Sequence, residues 1–185
     1  MILPIYIYAH PVLRKNCIEL DEKYPNLDKL ISDMYDTMHN ANGIGISAPQ
    51  IGLSIRLFVI DLSPYHEEDP SVPNIKKVFI NPEIVQEYGP DNNHNEGCLS
   101  IPGIREDITR KSKIKIKYFD EKFHSFNEEV DGIFARVFQH EYDHLNGILF
   151  IDHLSPLKKN VVNRKLENIQ KGKFEELYPT IKNKK

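Results

Sequence analysis

The chain has 185 residues, a net charge of −3 and only two cysteines, which excludes a disulfide-stapled scaffold and is enough length for one well-buried core. Apolar residues make up 40% and charged residues 28% of it, a globular balance, and no apolar run approaches the roughly 20 residues of a membrane span. The opening Met1-Ile2-Leu3-Pro4-Ile5 lacks the basic region and long apolar core of an export signal, so a cytoplasmic protein with no membrane and no DNA partner is expected.

In chain order, residues 26–39 read as a helix, because Leu27, Leu30, Ile31, Met34 and Met38 share one face and Asn42-Gly43 follows as a stop. Residues 56–61 form a short apolar strand, and residues 63–76, with Pro64, Pro70 and Pro73, read as a long surface loop. Strand pieces lie in 78–88 around Asn81-Pro82, and residues 113–119 alternate Lys with Ile114, Ile116 and Tyr118, the pattern of a strand with one buried face. Asp120-Glu121-Lys122 then turns the chain into a hairpin partner over 123–130. Residues 131–146 carry Ile133, Phe134, Val137, Phe138, Glu141 and Leu145 at helical spacing, with Gly147 where a C-cap glycine belongs. Ser155-Pro156 starts a last helix with an N-cap and a proline at its first position, running to about Lys171 before Gly172.

Strand runs flanked by helices argue for an α+β fold: antiparallel β-sheets packed around the helix at 131–146, with an N-terminal helix and a C-terminal helix. No repeat or linker divides the chain, so residues 1–185 are read as a single domain whose residues 154–185 are the C-terminal helix and a basic tail. Residues 158–185 hold nine Lys or Arg against three Glu.

The chemistry concentrates in His140-Glu141-Tyr142-Asp143-His144. Residues four apart on a helix lie one turn above each other, so His140 and His144 can turn both imidazoles to one cation while Glu141 is left free to handle protons. A catalytic site of this type needs a third protein ligand and one open position. The pattern that continues to a third His three residues after Gly147 fails, because Phe150 stands there. A downstream Glu would have to be Glu167, set among Lys158, Lys159, Arg164 and Lys165; that segment reads more simply as a solvated amphipathic helix. Cys98 is the better candidate. It follows Gly97 in a turn-rich segment, and a thiolate with two imidazoles suits zinc or ferrous iron. Cys17 reads as a small buried hydrophobe.

Three stretches now resemble one family, the peptide deformylases: Gly43-Ile44-Gly45-Ile46-Ser47-Ala48-Pro49-Gln50, Glu96-Gly97-Cys98-Leu99-Ser100 and Gln139-His140-Glu141-Tyr142-Asp143-His144. Their order and separation fit as well, and the likeness extends over roughly residues 3–170. It departs at Ser47, where the family usually has Ala, and at His94, where an aliphatic pocket residue is common. The resemblance implies a hydrolase that removes the N-formyl group from the initiator methionine of nascent polypeptides and releases formate. It implies one divalent ion held by Cys98, His140 and His144, ferrous iron in the cell, with zinc, nickel or cobalt acceptable in purified material. Glu141 would be general base and then acid, and the Gln50 side-chain amide and the Leu99 backbone N–H would meet the oxyanion. Gly43, Ile44, Gly45 and Gly97 would bind the peptide, Ile44, Ile133 and Val137 would form the methionine pocket, and Glu96 with Arg110 would brace the ligand loop. The basic C-terminal helix and tail could dock on the ribosome near the exit tunnel; the bland alternative is a solvated helix and a frayed tail. Two other functions remain open at this point, a metallopeptidase using Glu167 and a catalytically silent binder of peptides or ribosomes.

Overall fold

Two long strands dominate the molecule. In the computed structural model, which describes residues 1–183, β4 runs Lys76–Cys98 and β5 runs Ile101–Phe119, joined by the two-residue turn Leu99-Ser100. The alternation expected over residues 113–119 is present: Ile114, Ile116 and Tyr118 are buried while their neighbours face outward. Both strands continue far beyond the expected pieces. Gly89-Pro90 reads locally as a turn, but the pairing register shifts between Tyr88 and Asp91, and such a bulge lets a residue without an N–H pass through a ladder.

The remaining strands extend this hairpin into one five-stranded antiparallel sheet in the order β2-β3-β4-β5-β6. β2 (Gly45–Ser47) is one edge, next to β3 (Leu57–Asp61), and β6 (Ser125–Asp131) is the other. A second sheet departs from the antiparallel expectation. β1 (Ile5–Tyr6) and β7 (Thr180–Ile181) pair in parallel, because the last described residues run back beside the first strand. The frayed-tail reading therefore fails through residue 183, and the tail residues 184 and 185 lie outside the described residues.

Helix α1 (Leu27–Asn40) sits within a residue of its expected limits and packs Leu27, Ile31, Met34 and Met38 against Ile46, Leu57 and Val59 of the sheet. Residues 63–76 are not wholly loop, since Ser63–Glu68 forms a short exposed helix, α2. Helix α3 (Gly132–Leu145) is the centre of the fold, and it is buried on far more of its circumference than one face. Phe134 and Phe138 meet Phe58 and Phe79 of the sheet, with Phe138 edge-on to both rings at 5.0 and 5.1 Å. Burying one such ring stabilises the fold by about 1.5–3 kcal/mol. Cys17 joins the same cluster. Gly147 ends the helix at φ +69, where a Cβ would lie 2.8 Å from the Arg14 carbonyl oxygen, so the chain can leave α3 only through a glycine. Helix α4 (Pro156–Gln170), with Ser155 accepting from the Lys158 N–H, lays Val162, Leu166 and Ile169 against Ile101, Ile104 and Ile108 of β5. Among the described residues, no helix is long and apolar enough to cross a membrane.

Candidate active site

The site forms where the β4–β5 turn meets the buried flank of α3. Cys98 is the last residue of β4. His140 and His144 lie one turn apart on α3, their rings 5.1 Å between centroids. The Cys98 Sγ stands 3.2 Å from His144 Nε2, and one donor atom from each of Cys98, His140 and His144 falls within 4.8 Å of the others. Among the described residues this is the one His, Cys, Asp and Glu group arranged to hold an ion. Glu167 is elsewhere, exposed on α4 and paired with Lys171, which removes the peptidase alternative built on it.

The two imidazoles lie in different surroundings. Burial opposes charge on His140, but the Cys98 thiol and the Glu96 carboxylate outweigh it and hold its pKa well above the ordinary value. Burial and the neighbouring His140 push His144 well below its own. Glu96 accepts from His140 Nδ1 at 3.0 Å, which leaves the other ring nitrogen for an ion, and His144 Nδ1 finds no hydrogen-bond partner among the described residues. Sulfur with two imidazole nitrogens is a borderline-soft donor set, and the residues present fit a divalent transition metal.

Glu141 is buried beside this group. Desolvation raises its carboxyl pKa, only partly offset by His140 and by the Ser47 hydroxyl, which donates to its Oε2. Ser47, read from the sequence as a small-for-small departure from the resembled pattern, does more than fill space: its hydroxyl is a donor to the acid. Gly45 owes its identity to the same carboxylate, since a Cβ there would stand 2.6 Å from Glu141 Oε1. A Cβ on Gly43 would meet the Leu99 side chain at 2.9 Å. The sequence reading gave both glycines to close approach of a peptide; in the structure their bare faces also make room for the site's own residues.

Gln50 is buried, its Oε1 accepting from the Ser47 N–H at 2.8 Å and its Nε2 lying 3.6 Å from Cys98 Sγ and 3.3 Å from Ser100 Oγ. Its amide donor thus faces the same point as the thiol. A cleft of about 650 Å³ opens over these groups and reaches Gly43, Ile44, Gly45, Gly97, Ile133 and Val137. Its walls also include Gln50, Glu96, Cys98, Leu99, His140 and Glu141, with His94 at one side. One wall is formed by Ile44 and by Gly45 of β2, which is an edge strand of the sheet among the described residues; an edge strand is the kind of element that an extended peptide can join.

This constellation is shared with known proteins. A family model described as polypeptide deformylase matches residues 2–160. The chain belongs to that family. A peptide deformylase of Christiangramia forsetii is 48% identical over 181 residues, covering 94% of this chain and 92% of that protein. One of Flavobacterium johnsoniae is 49% identical over 180 residues, covering 94% and 92%. A crystal structure of a peptide deformylase from Legionella pneumophila superposes with a TM-score of 0.80 at 38% identity, covering 92% of this chain and 96% of that one.

Behind the deformylase cleft lies a charged clasp that sequence reading found only in part. Arg110 donates to Glu96 through Nε at 2.8 Å and Nη2 at 3.1 Å, and through Nη1 to Asp143 at 2.7 Å. Arg136, which sequence reading missed, adds a second cation: its Nη1 donates to the same Glu96 at 2.8 Å and to the Ile108 carbonyl at 3.0 Å. A signal existed, because Arg136 stands one helical turn before His140 on the buried side of α3. Burial opposes ionisation of Glu96, yet His140 and Arg110 hold it far below the usual carboxylate range. Phe150, the residue that spoils the three-histidine pattern, stacks on His140 at 6.1 Å.

Proposed function

We propose that Cys98, His140 and His144 hold one divalent metal ion and that Glu141, Gln50 and Leu99 act around it as the catalytic groups of an N-formyl-methionine deformylase. The single observation that carries this reading is the convergence of thiol and imidazoles beside the buried Glu141 at the foot of a cleft of about 650 Å³. The ion, when bound, supplies Lewis acidity, lowering the pKa of water toward about 7 and polarising a carbonyl oxygen.

The chain's own residues do the rest. An extended formyl-methionyl peptide lies along β2, its methionine side chain in the pocket of Ile44, Ile133 and Val137. Glu141 takes a proton from the attacking water and delivers it to the departing amine, a transfer eased by a carboxyl whose pKa burial has raised. Gln50 Nε2 and the Leu99 N–H meet the negative oxygen of the tetrahedral intermediate, where loss of one donor typically costs about 10²-fold or more in rate. Water and formyl-peptide leave as formate and a free amino terminus. Glu96, clasped by two arginines, accepts from His140 Nδ1 and so orients the ligand imidazole.

Ferrous iron is the native ion in this reading, with zinc, nickel or cobalt able to replace it, since all suit the donor set. The enzyme works in the cytoplasm as a single domain, where reducing conditions keep the Cys98 thiolate. The exposed Lys158, Lys159, Arg164 and Lys165 of α4 support a ribosome-facing role near the exit tunnel, tested by ribosome pelleting of chains with and without residues 158–185 across a salt titration. The central test is formate release from a formyl-Met peptide by protein loaded anaerobically with iron. Activity in the wild type and none in Glu141→Ala is expected; an inert, fully loaded wild type refutes the reading.

A further inference from the structure

The two ends of the described chain meet beside the turn that follows Cys98. Ile5 donates to the Pro179 carbonyl at 2.9 Å and Ile7 to that of Ile181 at 3.1 Å, closing the β1–β7 pair. Two donors reach out from this pair. Tyr178 Oη donates to the Leu99 carbonyl at 2.7 Å, and the Tyr8 N–H donates to the Ser100 carbonyl at 2.7 Å. Both residues of the turn are therefore held from outside the hairpin, and Tyr178 itself lines the cleft.

We propose that Tyr178 is a positioning residue of the hydrolysis: its hydroxyl fixes the Leu99–Ser100 peptide and, through the backbone torsions of Leu99, the neighbouring Cys98–Leu99 peptide, so that the Leu99 N–H is aimed at the developing oxyanion. The proposal rests on Leu99 being one of the oxyanion donors. The Leu99 side chain packs beside Gly43 against the apolar cluster of α1 and the sheet, which anchors the residue, while the bond from Tyr178 fixes the direction of its carbonyl. A hydroxyl-to-carbonyl bond adds about 1 kcal/mol to stability, a small term for the fold. Catalysis is less tolerant, because a displacement of about 1 Å in a catalytic group can cost about 10²-fold. Burial pushes the pKa of the phenol up, and the Leu99 carbonyl can only accept, so the Tyr178 hydroxyl is the donor of this bond. The sequence offers no hint of this role, as Tyr178 lies 79 residues from its acceptor and beyond the family-matched residues 2–160.

The test is Tyr178→Phe, which removes the hydroxyl and keeps the ring, assayed as metal-loaded protein on formyl-Met-Ala and on a formylated hexapeptide. The expected result is a kcat about tenfold lower on both substrates, less than the roughly 10²-fold of losing the donor outright because the donor is misaimed and not removed, with KM within about twofold and metal content and melting temperature as in the wild type. Wild-type kcat in the variant overturns the proposal. So does a loss confined to KM or to the hexapeptide, which would mean that Tyr178 touches substrate, and so does a loss that follows a fall in metal content or melting temperature. Wild-type protein on the same substrates separates this from the reading beneath it: an inert wild type defeats the deformylase mechanism, whereas an active wild type with an equally active variant defeats only the role of Tyr178.

Discussion

Gly45→Ala is the sharpest probe of how Glu141 is held. The new methyl would stand 2.6 Å from Glu141 Oε1 and 3.0 Å from both Cδ and Cγ, whereas non-bonded carbons rest about 3.5–4.0 Å apart. The carboxylate must therefore retreat by roughly 0.5–1 Å. It has little room, because its Oε2 is held by Ser47 and α3 is buried on both flanks of the residue. Displacement of that size predicts a kcat lower by up to about 10²-fold, and overpacking of the interior predicts a stability loss of about 1–3 kcal/mol. For a chain of this length such a loss lowers the melting temperature by about 2–12 °C. Formate release under saturating substrate, with metal content measured on the same sample, reads the first effect, and calorimetry reads the second. Full metal content with kcat within threefold of wild type would show that the close fit between Gly45 and Glu141 has no part in catalysis.

Arg136→Met leaves Glu96 with one arginine; breaking a buried ion pair of this kind costs about 3 kcal/mol, so the melting temperature should fall by about 6–12 °C, and an unchanged melt would mean that Arg110 alone suffices. Asp61 is buried, which disfavours its charge, but Ser63, His39 and Lys76 together hold its pKa below the ordinary value. A depressed folded pKa stabilises above the unfolded value of about 3.9 and is lost as the pH falls through the folded one, so Asp61→Asn should flatten the loss of stability below about pH 4, and an identical acid limb in the variant would contradict this. Burial pushes the Cys17 thiol up to about 11 against the opposing pull of Arg56; native protein at pH 8 should therefore leave Cys17 unalkylated by iodoacetamide, with labelling only after denaturation, as peptide mass mapping can check.

Local spacing made part of this site legible. His140, Glu141 and His144 are related by one helical turn, and the apolar residues around them mark that helix without reference to anything distant. The limits of α1 and α3 followed for the same reason, since a helix is built from contacts within four residues. Strands β4 and β5 did not yield as fully. Their polar middle, Asp91-Asn92-Asn93-His94-Asn95, has no strand preference of its own, and only pairing with residues 107–111 across the hairpin keeps it extended.

By itself, then, the amino-acid sequence determined which groups are available to this protein: a thiol and two imidazoles that could share an ion, a carboxyl next to them, and an α+β frame to carry them. The tertiary structure decided how those groups are aimed. Ser47 reaches Glu141 across 94 positions of chain, Arg136 reaches Glu96 across 40, and Tyr178 reaches Leu99 across 79. Each of these contacts joins residues whose own neighbourhoods say nothing of the partner, because hydrogen bonds depend on distances of a few ångströms that only the packed chain creates.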